Sequence, residues 1–262
     1  MVWLPHFAFF VESFSHSVVV KGGESLACFD ASGAGSGKQV VESIRKWSGS
    51  PISHLVYTHG HADHVGGSFA FAEDAASRGD TRPRVVGHEQ VLARMQRYAD
   101  TSDWNVLINR RQFGGIKSEM RAPMNASMGS LHDPSRFLPE GTLRPDDTFD
   151  ERLDLQLGDL TAELHHARGE TDDHLWAWMP AKKWLFTGDF VIWGVDAGEE
   201  VVVHRRLRDL ELPQRRQPTE SAALRAGVGP SAAQDDYARP RVVGASPRTT
   251  HCRQSAHRKR AG

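Results

Sequence analysis

The sequence predicts an α/β fold, and three observations carry the prediction. Strand-like apolar runs alternate with helical spacings over the first hundred residues. Four further strand-like runs cluster between Leu153 and Thr187. The chain has 262 residues, enough to bury a sizeable core.

Taken in order, residues 1–14 are apolar and aromatic, interrupted by Pro5 and Glu12, and read as a first strand. They lack the basic opening and small-residue cleavage site of a secretory signal, so a cytoplasmic location is expected. Ser17–Lys21, Gly22-Gly23 and Leu26–Phe29 read as a β-hairpin. Val41, Ile44 and Trp47 give Lys38–Trp47 a helical face. Ile52–Tyr57, behind Pro51, is a short apolar run of the kind a buried strand shows. A helix over Val65–Ala76, a strand over Arg84–Gly87 and a helix over His88–Tyr98 follow. Residues 99–150 look irregular, rich in Gly, Pro and Met, and a loop region that long is functional or disordered. Its Trp104, Phe113, Met120, Met124, Met128 and Phe137 would either wall an apolar substrate pocket or pack as ordinary loop residues. Leu153–Leu155, Leu160–His165, Leu175–Met179 and Trp184–Thr187 complete the strands.

Composition excludes several classes. With 32 basic and 33 acidic side chains there is no electrostatic footprint for nucleic acid. No apolar run reaches the roughly 18 to 20 residues of a spanning helix, so no membrane insertion is expected. Two cysteines, Cys28 and Cys252, make neither a disulfide framework nor a Cys-rich zinc site; Cys28 reads as a core residue. The chain changes character near residue 193, dividing 1–193 from 194–262. Beyond it Tyr237 is the lone aromatic, and twelve Arg and one Lys face eight acidic residues. Two readings stand for 194–262: a basic, disordered tail, or a C-terminus replaced by a frameshift.

Two motifs invite a functional reading. Gly33–Lys38 (GAGSGK) suggests a phosphate loop, but Ser32 occupies the first glycine position and Gln39 replaces the metal-binding Ser/Thr. A β–α connection is the better reading. The second motif is His59-Gly60-His61-Ala62-Asp63-His64, followed by Val65-Gly66-Gly67. Three imidazoles and a carboxylate at the end of a strand supply nitrogen and oxygen donors suited to zinc, and also to iron or manganese. A second block runs Gly169-Glu170-Thr171-Asp172-Asp173-His174, with Thr187-Gly188-Asp189 beyond it.

On these residues the sequence resembles the metallo-β-lactamase fold superfamily. Glu170 where most members carry histidine, with Asp189 nineteen residues on, is similar to its alkylsulfatase-like branch. Asn105, Asn109, Arg110, Arg111 and Gly114 resemble a further segment of that branch. The resemblance covers roughly Ser15 to Trp193 and implies an αββα sandwich with an incomplete C-terminal part. It implies two divalent metal ions, zinc first, with Mn or Fe as alternatives. His59, His61 and Glu170 would hold one ion and Asp63 and His64 the other, Asp189 being shared. Asp63 would also act catalytically by orienting a metal-bound hydroxide. Asp173 or His174 would orient a ligand; His165 and His166 are expected to pack or support rather than ligate. The implied activity is hydrolysis of an ester-like bond in a small molecule, a sulfate ester favoured, with thioesterase, lactonase, phosphoesterase and β-lactamase as alternatives. The family's last ligand histidine has no counterpart: His204, His251 and His257 lack its Gly-rich surroundings. A relative that binds at most one metal and does not catalyse is therefore the rival expectation. The oligomeric state is not read from the sequence.

Overall fold

Two β-sheets face each other across one apolar layer, and helices cover the far side of the first. The computed structural model describes residues 7–13, 15–112, 136–192, 202–203 and 241–243. The first sheet runs β1 (Ala8–Val11), β2 (Ser17–Gly22), β3 (Ser25–Phe29), β4 (Ile52–Val56), β5 (Arg84–His88) and β6 (Asp147–Phe149) in spatial order. β1, β2 and β3 pair antiparallel; β3 to β6 pair parallel. The second sheet is β7 (Arg152–Leu157), β8 (Leu160–His166), β9 (Leu175–Met179) and β10 (Trp184–Phe186), an antiparallel meander. A short β11 (Val191–Ile192) pairs with β12 (Val202–Val203), and β13 (Arg241–Val243) lies parallel to β10. The described residues beyond 193 are thus both strand segments.

Period-two alternation distributes the strand residues between two cores. Val18, Val20, Ala27, Phe29, Val56 and Val86 face the second sheet, where Leu164, Ala177, Met179 and Phe186 meet them. Phe29 stacks on Phe186 with centroids 4.2 Å apart. The intervening Val19, Leu26, Cys28, Leu55 and Val85 face helices α1 (Gly37–Trp47), α3 (Phe69–Arg78) and α4 (Gln90–Asp100). The α/β class and the sandwich are as the sequence leads one to expect. No helix among the described residues is long and apolar enough to cross a membrane.

Two local expectations change. The helix expected over Val65–Ala76 is split into α2 (Ala62–Val65), a 3-10 turn at Gly66–Ser68, and α3. The cause is close packing of loops: a Cβ on Gly67 would lie 2.3 Å from Ala31 O, and one on Gly37 would lie 2.4 Å from Gly67 O. The glycines of the GAGSGK segment serve that contact, and Lys38 points out to pair with Glu73 at 3.2 Å. The segment 99–150 is not irregular throughout, since it holds helix α5 (Ser102–Gln112) and β6. Helix α5 escapes a periodicity test because its Trp104, Leu107 and Ile108 are exposed. Phe137 is buried against Tyr98 and Ala62, whereas Phe113, Met120, Met124 and Met128 lie outside the described residues.

Candidate metal centre

Three chain turns meet at one rim of the sandwich, each placed there by the end of a strand. Residues 58–64 leave β4 and enter α2; residues 167–174 join β8 to β9; Thr187–Phe190 follow β10 in a 3-10 turn. Gly188, at φ 48°, permits the last approach: a Cβ there would lie 2.6 Å from the Thr58 side chain.

His59, His61 and Glu170 converge. His59 Nε2 lies 3.0 Å from His61 Nδ1, and Glu170 Oε2 lies 3.7 Å and 3.5 Å from those two nitrogens. Donors held about 2.0–2.2 Å from a tetrahedral ion stand roughly 3.3–3.5 Å apart, so these separations bracket what such an ion requires. The tautomer of His59 follows from its neighbour. The Thr58 hydroxyl donates to Asp30 Oδ2 at 2.7 Å and therefore accepts from His59 Nδ1 at 3.1 Å. That leaves the His59 Nε2 lone pair facing His61 and Glu170. Only a shared proton or a cation can lie between these three groups without repulsion. Burial, followed by the neighbouring His64, His174 and His61, holds His59 well below its ordinary pKa. Burial likewise brings His61 to about 4, against the opposing pull of Asp63. Both rings are neutral near pH 7, the form that ligates a metal.

A second group adjoins the first. His59, His64 and Asp189 each offer an atom within 4.8 Å of the others, so His59 borders both groups. His64 Nε2 lies 3.4 Å from Asp189 Oδ1 and 3.9 Å from Asp63 Oδ2. Its other nitrogen, Nδ1, meets Asp30 Oδ2 at 2.8 Å. Burial alone would lower His64, but Asp189 and Asp30, one at each ring nitrogen, push its pKa well above the ordinary value. Asp63 Oδ2 accepts from Ser15 Oγ at 2.6 Å. Burial raises its carboxyl, yet His64, His61 and Ser15 together outweigh burial and hold it below the usual range.

Asp173 and His174 both lie against the turn that carries His59 and His61. Asp173 holds no histidine; its Oδ2 accepts from Gly60 N at 2.9 Å, in the middle of the His59–His61 turn. His174 stacks on His59 with centroids 4.3 Å apart, and on Phe190 at 4.2 Å. His165 stacks on Trp176, and His166 on His88; neither joins the donor groups. Asn105 and Asn109 cap turns within α5 through Thr101 Oγ1 and Asn105 O; Gly114 lies outside the described residues.

Sequence reasoning missed Asp30, Ser15 and Arg94. Asp30 left no pattern beyond a carboxylate at the end of β3. Arg94 did leave one: it falls on the buried stripe Val91–Arg94–Met95–Tyr98 of α4, where a cation is out of place without a partner.

Residues 11–221 match the Metallo-beta-lactamase superfamily. The chain belongs to that superfamily. Among curated proteins, a linear primary-alkylsulfatase from Pseudomonas sp. is 28% identical over 178 residues, covering 66% of this chain and 31% of that protein. The stereoselective inverting sec-alkylsulfatase Pisa1 from Pseudomonas sp. superposes with a TM-score of 0.51 at 16% identity, over 71% of this chain and 30% of that one. A double mutant of the sec-alkyl sulfatase PisA1 gives 0.53 at 15% identity, over 74% and 31%. The chain therefore spans about a third of the length of these relatives, and the structural likeness speaks for the fold alone.

Proposed function

We propose that this metallo-β-lactamase superfamily chain is a metal-dependent hydrolase acting on an ester-like bond of a small molecule, with a sulfate ester as the first candidate. The observation that carries the reading is the convergence of His59 Nε2, His61 Nδ1 and Glu170 Oε2 within 3.0–3.7 Å. In this reading those three hold one divalent ion, zinc first and Mn or Fe as alternatives. Asp63 and His64 contribute to a second, and Asp189 is shared. Divalent ions, when bound, supply Lewis acidity and make water acidic enough to act as a nucleophile near neutral pH.

The chain's own residues do the rest. Asp30 and Thr58 fix the tautomers of His64 and His59, so that each Nε2 faces the centre. Ser15 fixes one oxygen of Asp63 and leaves Oδ1 to orient the attacking water. Three carboxylates (Asp63, Glu170 and Asp189) would lower the positive charge of two divalent ions relative to an all-histidine donor set. The similarity to a linear primary-alkylsulfatase supports sulfate over a β-lactam.

One observation favours a second reading. Among the described residues no histidine groups with His64 and Asp189 other than His59, which also belongs to the first donor group, and Asp63 stands in neither group. A chain that binds one ion and does not turn over follows if no other histidine does so in the whole protein.

The test is elemental analysis of protein purified without chelator, followed by sulfate release from hexyl or octyl sulfate. Turnover that a chelator abolishes and zinc or manganese restores, and that Asp63→Ala removes, is the expected result. One ion per chain, with no turnover of sulfate, thioester, lactone, phosphoester or β-lactam substrates, selects the second reading.

A further inference from the structure

The rim described above is built from turns far apart in sequence, joined at one side by the Leu175 N–H donating to Thr58 O at 2.7 Å. A second join is made by a cation in the helix layer. Arg94, on the buried face of α4, donates from Nε to Asp173 Oδ1 at 3.0 Å and from its guanidinium to Asp172. Asp173 is fully buried, and its second oxygen accepts the Gly60 N–H at 2.9 Å. Gly60 separates His59 from His61, and Asp173 lies three residues beyond Glu170. The approach is tight from both sides: a Cβ on Gly60 would stand 2.7 Å from Asp173 Oδ2 and 3.0 Å from Arg94 Cδ.

We propose that Arg94 is a positioning residue of the metal centre: through Asp173 it clamps the turn bearing His59 and His61 against the turn bearing Glu170, and so sets the separation of these three donors. The proposal rests on the metal-binding reading above and adds a residue that touches neither metal nor substrate. Guanidinium suits the task because its planar fork reaches two carboxylates at once. A lysine at the same place is a single point charge and holds one of them.

A purely structural ion pair would also lower stability when removed, so the test separates stability from metal geometry. The full chain is prepared as Arg94→Lys, Arg94→Met and Asp173→Asn, with Asp74→Asn as a control. Asp74 pairs with Arg45 in a half-buried contact between α1 and α3, away from the centre. Each protein is checked for folding by near-ultraviolet circular dichroism. It is then titrated with Co(II) against a competing chelator, with the visible d–d spectrum recorded. Expected are a roughly 10- to 100-fold loss of Co(II) affinity in the Arg94 and Asp173 variants, a changed d–d band, and an unchanged affinity and band in the control. Where Arg94→Met does not fold, Arg94→Lys and Asp173→Asn decide. Parental affinity and spectrum in the folded variants overturn the proposal, as does an equal loss in Asp74→Asn. A parent chain that takes up no cobalt removes the metal reading itself, and is recognised by the absence of any d–d band.

Discussion

Replacing Asp30 by asparagine isolates the contribution of one carboxylate to both fold and metal centre. Asp30 adopts a left-handed backbone, φ 61°, a region that Asn enters readily. Its two oxygens accept three donors: Thr58 N at 2.7 Å on Oδ1, and Thr58 Oγ1 at 2.7 Å and His64 Nδ1 at 2.8 Å on Oδ2. An amide offers one acceptor. Its cheaper orientation turns NH2 toward Thr58 N and keeps the oxygen for the other two. Leaving one buried N–H without an acceptor costs about 1–3 kcal/mol. Losing charge assistance in the two remaining bonds adds about 1 kcal/mol. Asp30→Asn should therefore lower the stability of the metal-free protein by about 3 kcal/mol, read from urea unfolding. Metal affinity should fall by about 10- to 100-fold, because a neutral amide oxygen on His64 Nδ1 makes the imidazole a weaker donor to metal than the carboxylate does. Asp30→Ala loses all three bonds and adds about 1–2 kcal/mol of left-handed strain, so it must be worse than Asn. An Asp30→Asn protein within about 0.5 kcal/mol of the parent, below any of the losses just counted, would refute the reasoning. So would an Ala variant no worse than Asn.

Three further outcomes are expected. Gly60→Ala should cost about 1–3 kcal/mol by overpacking against Asp173 and Arg94 and weaken metal uptake, measured by thermal melting and chelator competition. Burial, with the charge of His64 second, lowers the pKa of His16 to about 4. Because this folded value lies below the unfolded one, the unfolded chain takes up the proton first, and the stability that neutral His16 contributes is lost as pH falls from about 6.5 to about 4. The stability of the parent relative to His16→Gln should then shrink by roughly 3 kcal/mol over that window, measured by denaturant titration at several pH values. Burial pushes the Cys28 thiol far up, so peptide mapping after iodoacetamide treatment should find Cys28 unmodified in native protein and modified in denaturant.

The strands were legible in the sequence as short apolar runs between breaks: Leu175–Met179 is found as expected, and Arg84–His88 is one residue longer than expected. The helices were legible where one face is buried, as at Val41 and Ile44 of α1. They were hidden where large apolar residues stay exposed and mark no buried face, as Trp104, Leu107 and Ile108 do in α5. Within the site, the His59–His64 spacing announced itself, since four donors in six residues have no ordinary core role. Glu170 and Asp189 became visible only through resemblance, each being an unremarkable loop acid on its own. Asp30 could not be read at all, and Asp173 was read only as a residue beside a ligand, because their partners Thr58 and Gly60 are met across the fold.

The wide separation in sequence of His59 and Glu170, 111 residues, gives the centre a second meaning. An ion gripped by both is a reversible cross-link that closes more than a third of the chain into a ring. A covalent link closing a loop of about 100 residues removes roughly 4–5 kcal/mol of chain entropy from the unfolded ensemble. The folded protein holds those two ends together already. Unlike a covalent link, an ion that binds only the folded chain would add its own binding free energy to stability and slow the parting of the two sheets, making its uptake a kinetic lock on the whole sandwich.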